Sequence, residues 1–182
     1  KFFKNNINIE KFCSKNKIKL IKTKNLKIND EKYLNIVKKI HEKYIIYAVN
    51  YGDILSKKYF LLNKKFIHIH PGKLPEFKGS TTFYYQILKE NCISYSAIFQ
   101  NRKIDDGKII LSKTYSVKKD NIIKSKLDQV YDPYLRSLVL LKVIQKLKKL
   151  KKLQSKNQSK KNKKIYYVIH PILKHISILS KN

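Results

Sequence analysis

The chain has 182 residues, 42% of them hydrophobic, enough for a domain with a real core; this excludes a disordered tail. Its 42 basic against 12 acidic residues give a net charge of +30, which ordinarily points to nucleic acid or an anionic membrane surface. Arg102 and Arg136 are the only arginines, however, and the Lys/Asn/Ile bias is what an AT-rich genome writes into any protein, so the charge reads as a solvated lysine surface with non-specific polyanion affinity.

In chain order, Ile7–Ser14 reads as a short helix and Lys17–Ile21, KIKLI, alternates like an edge strand. Asp30 is placed to cap a helix through about Lys43, with Tyr33, Ile36, Val37 and Ile40 recurring at three and four. Tyr44–Val49 is apolar on both faces, as a central parallel strand is, and Asn50, Tyr51 and Gly52 break it. A short helix over Ile54–Leu62 leads to a strand over Phe66–His70. Ser80 is placed to cap a helix through Lys89; strands follow over Ser94–Gln100 and Ile109–Val117. From Pro133 to about Leu153 a long helix sets Leu135, Leu138, Val139, Val143, Leu147 and Leu150 on one side. Lys151–Lys164 reads as a solvated helix end and linker, and Ile165–Leu179 regains order with IYYVI as a strand. Helices alternating with apolar strands predict an α/β fold with a Rossmann-like, doubly wound, mainly parallel sheet, whose ligands bind beyond the carboxyl ends of the strands. The expected division is a catalytic domain over 1–120 and a lysine-rich C-terminal extension over 121–182.

Cys13 and Cys92 are far apart and form neither a disulfide framework nor a zinc motif, so the expected compartment is the reducing cytosol. No apolar run approaches the roughly 20 residues of a membrane span. The chain contains no methionine, even at position 1, and is expected to begin inside a longer reading frame.

Chemistry concentrates in Phe66–Ser80, FIHIHPGKLPEFKGS. Residues two apart on a strand point the same way, so His68 and His70 leave it together, and Pro71 and Gly72 turn the chain just beyond. Such a pair suits proton transfer near neutral pH, a metal, or a structural role. A histidine that moves protons needs an orienting carboxylate, and Asp105 and Asp106 in IDDGKII offer one, although Asp-Gly is equally a good hairpin turn. A metal-dependent hydrolase using His68, His70 and an aspartate, and a basic RNA-binding module, are the rival readings.

His68-Ile69-His70-Pro71, then Leu74-Pro75-Glu76-Phe77-Lys78-Gly79, then Asp105-Asp106-Gly107 occur in the order and separation of a known pattern. From about Ile7 to Val117 the chain resembles the folate-dependent formyltransferases, the family of methionyl-tRNA, glycinamide ribonucleotide and amino-sugar formyltransferases. The resemblance implies formyl transfer from 10-formyltetrahydrofolate to a small-molecule amine, with His70 as the catalytic histidine and Asp105 as the carboxylate that holds it. It puts His68 where the family has an asparagine that binds the oxyanion. Asp53, Ile54 and Leu55 with Lys103 and Ile104 would line the folate site, and no metal is implied. Gly79, Ser80, Thr81 and Thr82, followed by Phe83 and Tyr84, are expected to bind the acceptor, and hydroxyls and aromatics at a helix start suit an amino sugar more than methionyl-tRNA or glycinamide ribonucleotide. Family members begin with a strand, helix and strand not visible here, so the chain is expected to be a fragment that folds poorly and lacks part of its folate site.

Overall fold

A computed structural model describes residues 7–23, 26–48, 53–117, 126–159 and 163–179. The expected break at Asn50–Gly52 and the end of the Tyr44–Val49 strand lie outside these residues. Packing divides the chain into two units, one of residues 1–41 and 49–62, the other of residues 42–48 and 63–182.

In the first unit, helix α1 (Ile9–Lys15) is capped by the Asn8 side chain, which accepts the Lys11 N–H at 3.0 Å. The alternating KIKLI segment is not a strand: Ile18, Leu20 and Ile21 are exposed and in irregular backbone, because alternation without a pairing neighbour does not hold an extended chain. Helix α2 (Glu31–Lys38) buries Leu34 and Val37 and stops five residues before the expected Lys43. Asn29 clasps the unit's second segment, its amide donating to the Ile54 carbonyl at 2.8 Å and its Oδ1 accepting the Ser56 N–H at 2.9 Å. A 3₁₀ turn, Lys57–Leu61, follows and buries Tyr59.

The second unit is built on a four-stranded sheet. Strand β1 (Tyr44–Ile46) lies parallel to β2 (Lys65–His70). After the short strand β3 (Lys78–Gly79), helix α3 (Thr82–Glu90) leads to β4 (Cys92–Phe99), which runs antiparallel to β2, and β5 (Ile109–Ser116) runs antiparallel to β4. The α/β class is as expected from the sequence, while the described sheet, ordered β1-β2-β4-β5, is mixed, with one parallel and two antiparallel pairings. The Asp-Gly segment accounts for one of these: it closes a short connection between β4 and β5, too short for the crossover a parallel pair requires. A Cβ on Gly107 would stand 1.7 Å from the Phe99 carbonyl, so this turn admits only glycine.

Helix α4 (Asp132–Leu150) packs Leu135, Val139 and Val143 onto β2, β4 and β5, its exposed face carrying lysines, as the spacing predicts. Buried Asp132 at its start accepts the Tyr95 hydroxyl at 2.9 Å and pairs with Arg136, whose guanidinium reaches the Ile69 carbonyl at 3.4 Å. Helix and sheet are thereby pinned at Ile69 of β2, the residue between the two histidines.

The lysine-rich segment after α4 is docked where a solvated linker was expected. Leu153 is buried, and Lys156 exchanges both backbone hydrogen bonds with Ile109, at 2.8 and 2.9 Å. Strand β6 (Ile165–Tyr166) pairs parallel with β3, and helix α5 (Pro171–Leu179) packs against α3. Pro171 opens that helix, where its missing N–H costs nothing. Among the described residues no helix is long and apolar enough to cross a membrane.

Candidate active site

β2 ends with His70 at the sheet's interior and His68 two residues earlier on the same face, the rings 6.5 Å apart. The loop between β4 and β5 brings Asp105 to them. His70 Nδ1 lies 3.3 Å from Asp105 Oδ1, and both side chains are more than nine-tenths buried. The other carboxylate oxygen accepts the Gly79 N–H at 2.9 Å, so Asp105 is fixed from the second side by β3. Its backbone is left-handed at φ 48°, which aspartate tolerates better than most residues and which turns its side chain toward β2.

The other nitrogen of His70, Nε2, is 2.7 Å from the Phe77 carbonyl. A carbonyl only accepts, so Nε2 carries the proton and Nδ1 is the atom left to face the carboxylate. Burial pushes His70 below its ordinary pKa, against the pull of Asp105. His68, partly buried, sits with Nδ1 3.4 Å from the Tyr47 carbonyl and beside the Tyr47 ring. Burial, then the charge of His70, push it down to about 4, so it is neutral at physiological pH. With Nδ1–H donating to Tyr47, its remaining nitrogen is a lone pair, unlike the amide donor of an asparagine.

Three supporting residues are not apparent from the sequence in these roles. Gly72 has an ordinary negative φ; its value is closeness, since a Cβ there would stand 2.3 Å from the Phe77 carbonyl and 2.4 Å from His70 Nε2. Ser96 on β4 donates to the Gly72 carbonyl at 2.7 Å and accepts the Leu74 N–H at 3.1 Å, holding the loop over His70. Gln158, within the lysine-rich segment, donates to the carbonyls of Asp105 and Gly107 at 2.7 and 2.8 Å. Asp106 faces away from the histidines' carboxylate partner to buried Lys78 and to Lys163, and the Lys78 ammonium holds its carboxyl below the usual range.

The remaining sequence-expected residues fall in three places. Lys103 and Ile104 are exposed on the β4–β5 loop just before Asp105. Asp53 and Ile54 are exposed and Leu55 is buried, all in the first unit. Gly79, at φ 97°, lies against the Tyr166 carbonyl, and a Cβ there would be 2.1 Å from it. Thr81 Oγ1 accepts the Ile169 N–H at 2.9 Å, and the fully buried Thr82 hydroxyl donates to the Pro71 carbonyl. Ser80 donates its N–H to Tyr166 at 2.8 Å. The threonine hydroxyls are thus committed to the fold.

A histidine with one nitrogen facing a carboxylate and the other on a carbonyl, at the end of a strand in an α/β sheet, offers the atoms that a group-transfer or hydrolytic site would use. No protein-family model matches the chain. It is 30% identical over 94 residues to the methionyl-tRNA formyltransferase of Borreliella afzelii, covering 50% of this chain and 29% of that protein. It is 31% identical over 100 residues to that of Buchnera aphidicola, covering 54% and 32%. These matches span under a third of the length of the curated relatives. Its fold matches the solved methionyl-tRNA formyltransferase from Clostridium thermocellum with a TM-score of 0.61 and 17% identity, over 90% of this chain and 67% of that one. A sugar N-formyltransferase from a Shewanella species matches with a TM-score of 0.52 and 18% identity, over 85% and 65%. The fold is that of the formyltransferases. In sequence, about half of the chain is similar to methionyl-tRNA formyltransferases.

Proposed function

We propose that the chain transfers the formyl group of 10-formyltetrahydrofolate to an amine, and that His70 and Asp105 are the catalytic pair. The observation that carries this reading is the 3.3 Å contact between His70 Nδ1 and Asp105 Oδ1, made by the two residues that the family pattern singles out. When the acceptor nitrogen attacks the formyl carbon, a C–N bond forms and negative charge gathers on the formyl oxygen; the bond to the folate nitrogen then breaks. In this reading His70 takes a solvent proton on Nδ1, held by Asp105, and turns its Nε2–H from the Phe77 carbonyl to that oxygen, the carboxylate balancing the charged ring. His68, neutral and with one lone pair free, takes the proton that the attacking amine must lose and returns it to the departing folate nitrogen. That role differs from the amide donation the family's asparagine supplies.

Lys103 and Ile104, exposed on the loop just before Asp105, would contact the donor. For the acceptor, the amino-sugar reading rested on the hydroxyls of Thr81 and Thr82, and these are engaged by Ile169 and Pro71. Each relative matched in sequence is a methionyl-tRNA formyltransferase, so the aminoacyl end of a charged tRNA is the acceptor we propose; the surplus of lysines suits a polyanion. The test is transfer of labelled formyl from 10-formyltetrahydrofolate to methionyl-tRNA, set beside nucleotide-linked amino sugars. Preference for the tRNA is expected. Transfer to the sugar alone would overturn the acceptor, and transfer to neither would overturn the function.

A further inference from the structure

His68 adds a ligand-bearing group where the family places an asparagine, and its position has a second consequence. One ring nitrogen of His68, one of His70 and a carboxylate oxygen of Asp105 lie within 4.8 Å of one another. Each of the three has its outer atom tied to backbone. His70 Nε2–H is on the Phe77 carbonyl at 2.7 Å, His68 Nδ1 on the Tyr47 carbonyl at 3.4 Å, and Asp105 Oδ2 on the Gly79 N–H at 2.9 Å. The inner atoms are then His70 Nδ1, the remaining nitrogen of His68, and Asp105 Oδ1. This is the arrangement by which metal-binding imidazoles are oriented: the far nitrogen donates to a carbonyl, the near lone pair faces the ion.

We infer that His68, His70 and Asp105 form a three-ligand site for one divalent transition-metal ion of the zinc class. Two imidazoles and one carboxylate select zinc, cobalt or nickel over magnesium and calcium, which prefer all-oxygen shells. Around a four-coordinate zinc, ligand atoms stand about 3.3 Å apart, given bonds of about 2.0–2.1 Å. The His70–Asp105 pair already has a separation of 3.3 Å. His68 completes the set by closing the remaining gap; it is the partly exposed member, so the ion enters from its side and keeps its fourth position there for water. Without an ion, a histidine lone pair and a carboxylate oxygen face each other in the interior, and either a proton or a metal relieves that contact.

The site does not depend on the formyl-transfer reading, and it opposes it: an ion on Nδ1 and Oδ1 occupies the atoms the catalytic pair needs. The two are separable because transfer is assayed in the presence of a chelator and metal binding in the absence of folate. The full chain, stripped with chelator, is titrated with Co²⁺ alone and then with Zn²⁺. One equivalent of Co²⁺ is expected to give the visible d–d absorption of low-coordinate nitrogen and oxygen ligation, and Zn²⁺ to displace it. His68→Asn and Asp105→Asn are each expected to weaken binding by about 100-fold, while a His170→Asn/His175→Asn double variant, which alters two histidines outside the site, binds as wild type does. Wild-type affinity in His68→Asn overturns the proposal. So does absence of the d–d bands at one equivalent of Co²⁺ in the wild-type chain, a readout that needs no variant to fold.

Discussion

Asp105→Asn separates the structural part of the site from the chemical part. The carboxylate makes two contacts, one to His70 Nδ1 at 3.3 Å and one to the Gly79 N–H at 2.9 Å. An amide of the same shape keeps both: its oxygen accepts the Gly79 N–H, and its NH₂ donates to Nδ1, which suits a ring whose Nε2–H is already on Phe77. The cost to the fold is a charge-assisted bond replaced by a neutral one, about 1 kcal/mol. For a chain of this size that lowers the melting temperature by about 2–4 °C. The chemical loss is far larger, because an amide can neither balance a charged imidazole nor take up its proton. Activity should fall by about 10²- to 10⁴-fold, equivalent to about 3–5 kcal/mol of transition-state stabilisation. Calorimetry and single-turnover formyl transfer on the same preparation check both figures. A variant that retains activity within about threefold of wild type, or whose melting temperature falls by more than about 10 °C, would refute the assignment; in the second case Asp105 is a structural residue.

Other consequences follow from the supporting residues. Gly72→Ala drives a methyl group into the Phe77 carbonyl and His70 Nε2, so it should cost about 1–3 kcal/mol and displace the imidazole; an unchanged His70 side-chain NMR signal would contradict the close approach. Gln158→Ala releases the carbonyls of Asp105 and Gly107, and faster amide exchange confined to the β4–β5 loop is the expected result. Burial and Asp132 hold the Tyr95 hydroxyl well above its ordinary pKa. Its raised value means that the neutral form is favoured in the fold, so this stability is complete below the unfolded pKa of about 10 and is lost as pH rises beyond it. Melts at pH 8 and pH 11 should therefore differ less in Tyr95→Phe than in wild type; an equal difference in the two would remove Tyr95 from the account.

Much of this site is legible in the sequence because its two central parts are local. The alternation of Phe66–His70 fixes which residues share a face, and the Pro71 stop fixes where the strand ends. Asp-Gly fixes a tight turn, which places Asp105 at the same end of the sheet. What could not be read depends on contacts across long separations. Gln158 reaches Asp105 over 53 residues from a segment whose composition resembles a linker. KIKLI has the right alternation for a strand but, among the described residues, no strand beside it to pair with, and pairing decides strands. The hydroxyls of Thr81 and Thr82 look available at a helix start, yet the return of β6 alongside β3 and the turn at Pro71 engage them. The mixed sheet has the same origin, since a short connection after β4 forces an antiparallel partner that an apolar strand alone does not announce.

The central claim is that His70 carries formyl transfer. Its most direct test compares the initial rate of formyl transfer from 10-formyltetrahydrofolate to methionyl-tRNA, in chelator, by the wild-type chain and by His70→Ala. The account predicts turnover by the wild type and none detectable in the variant, with donor binding retained in both. A His70→Ala rate equal to that of wild type, or a wild-type chain that moves no formyl group, would contradict it.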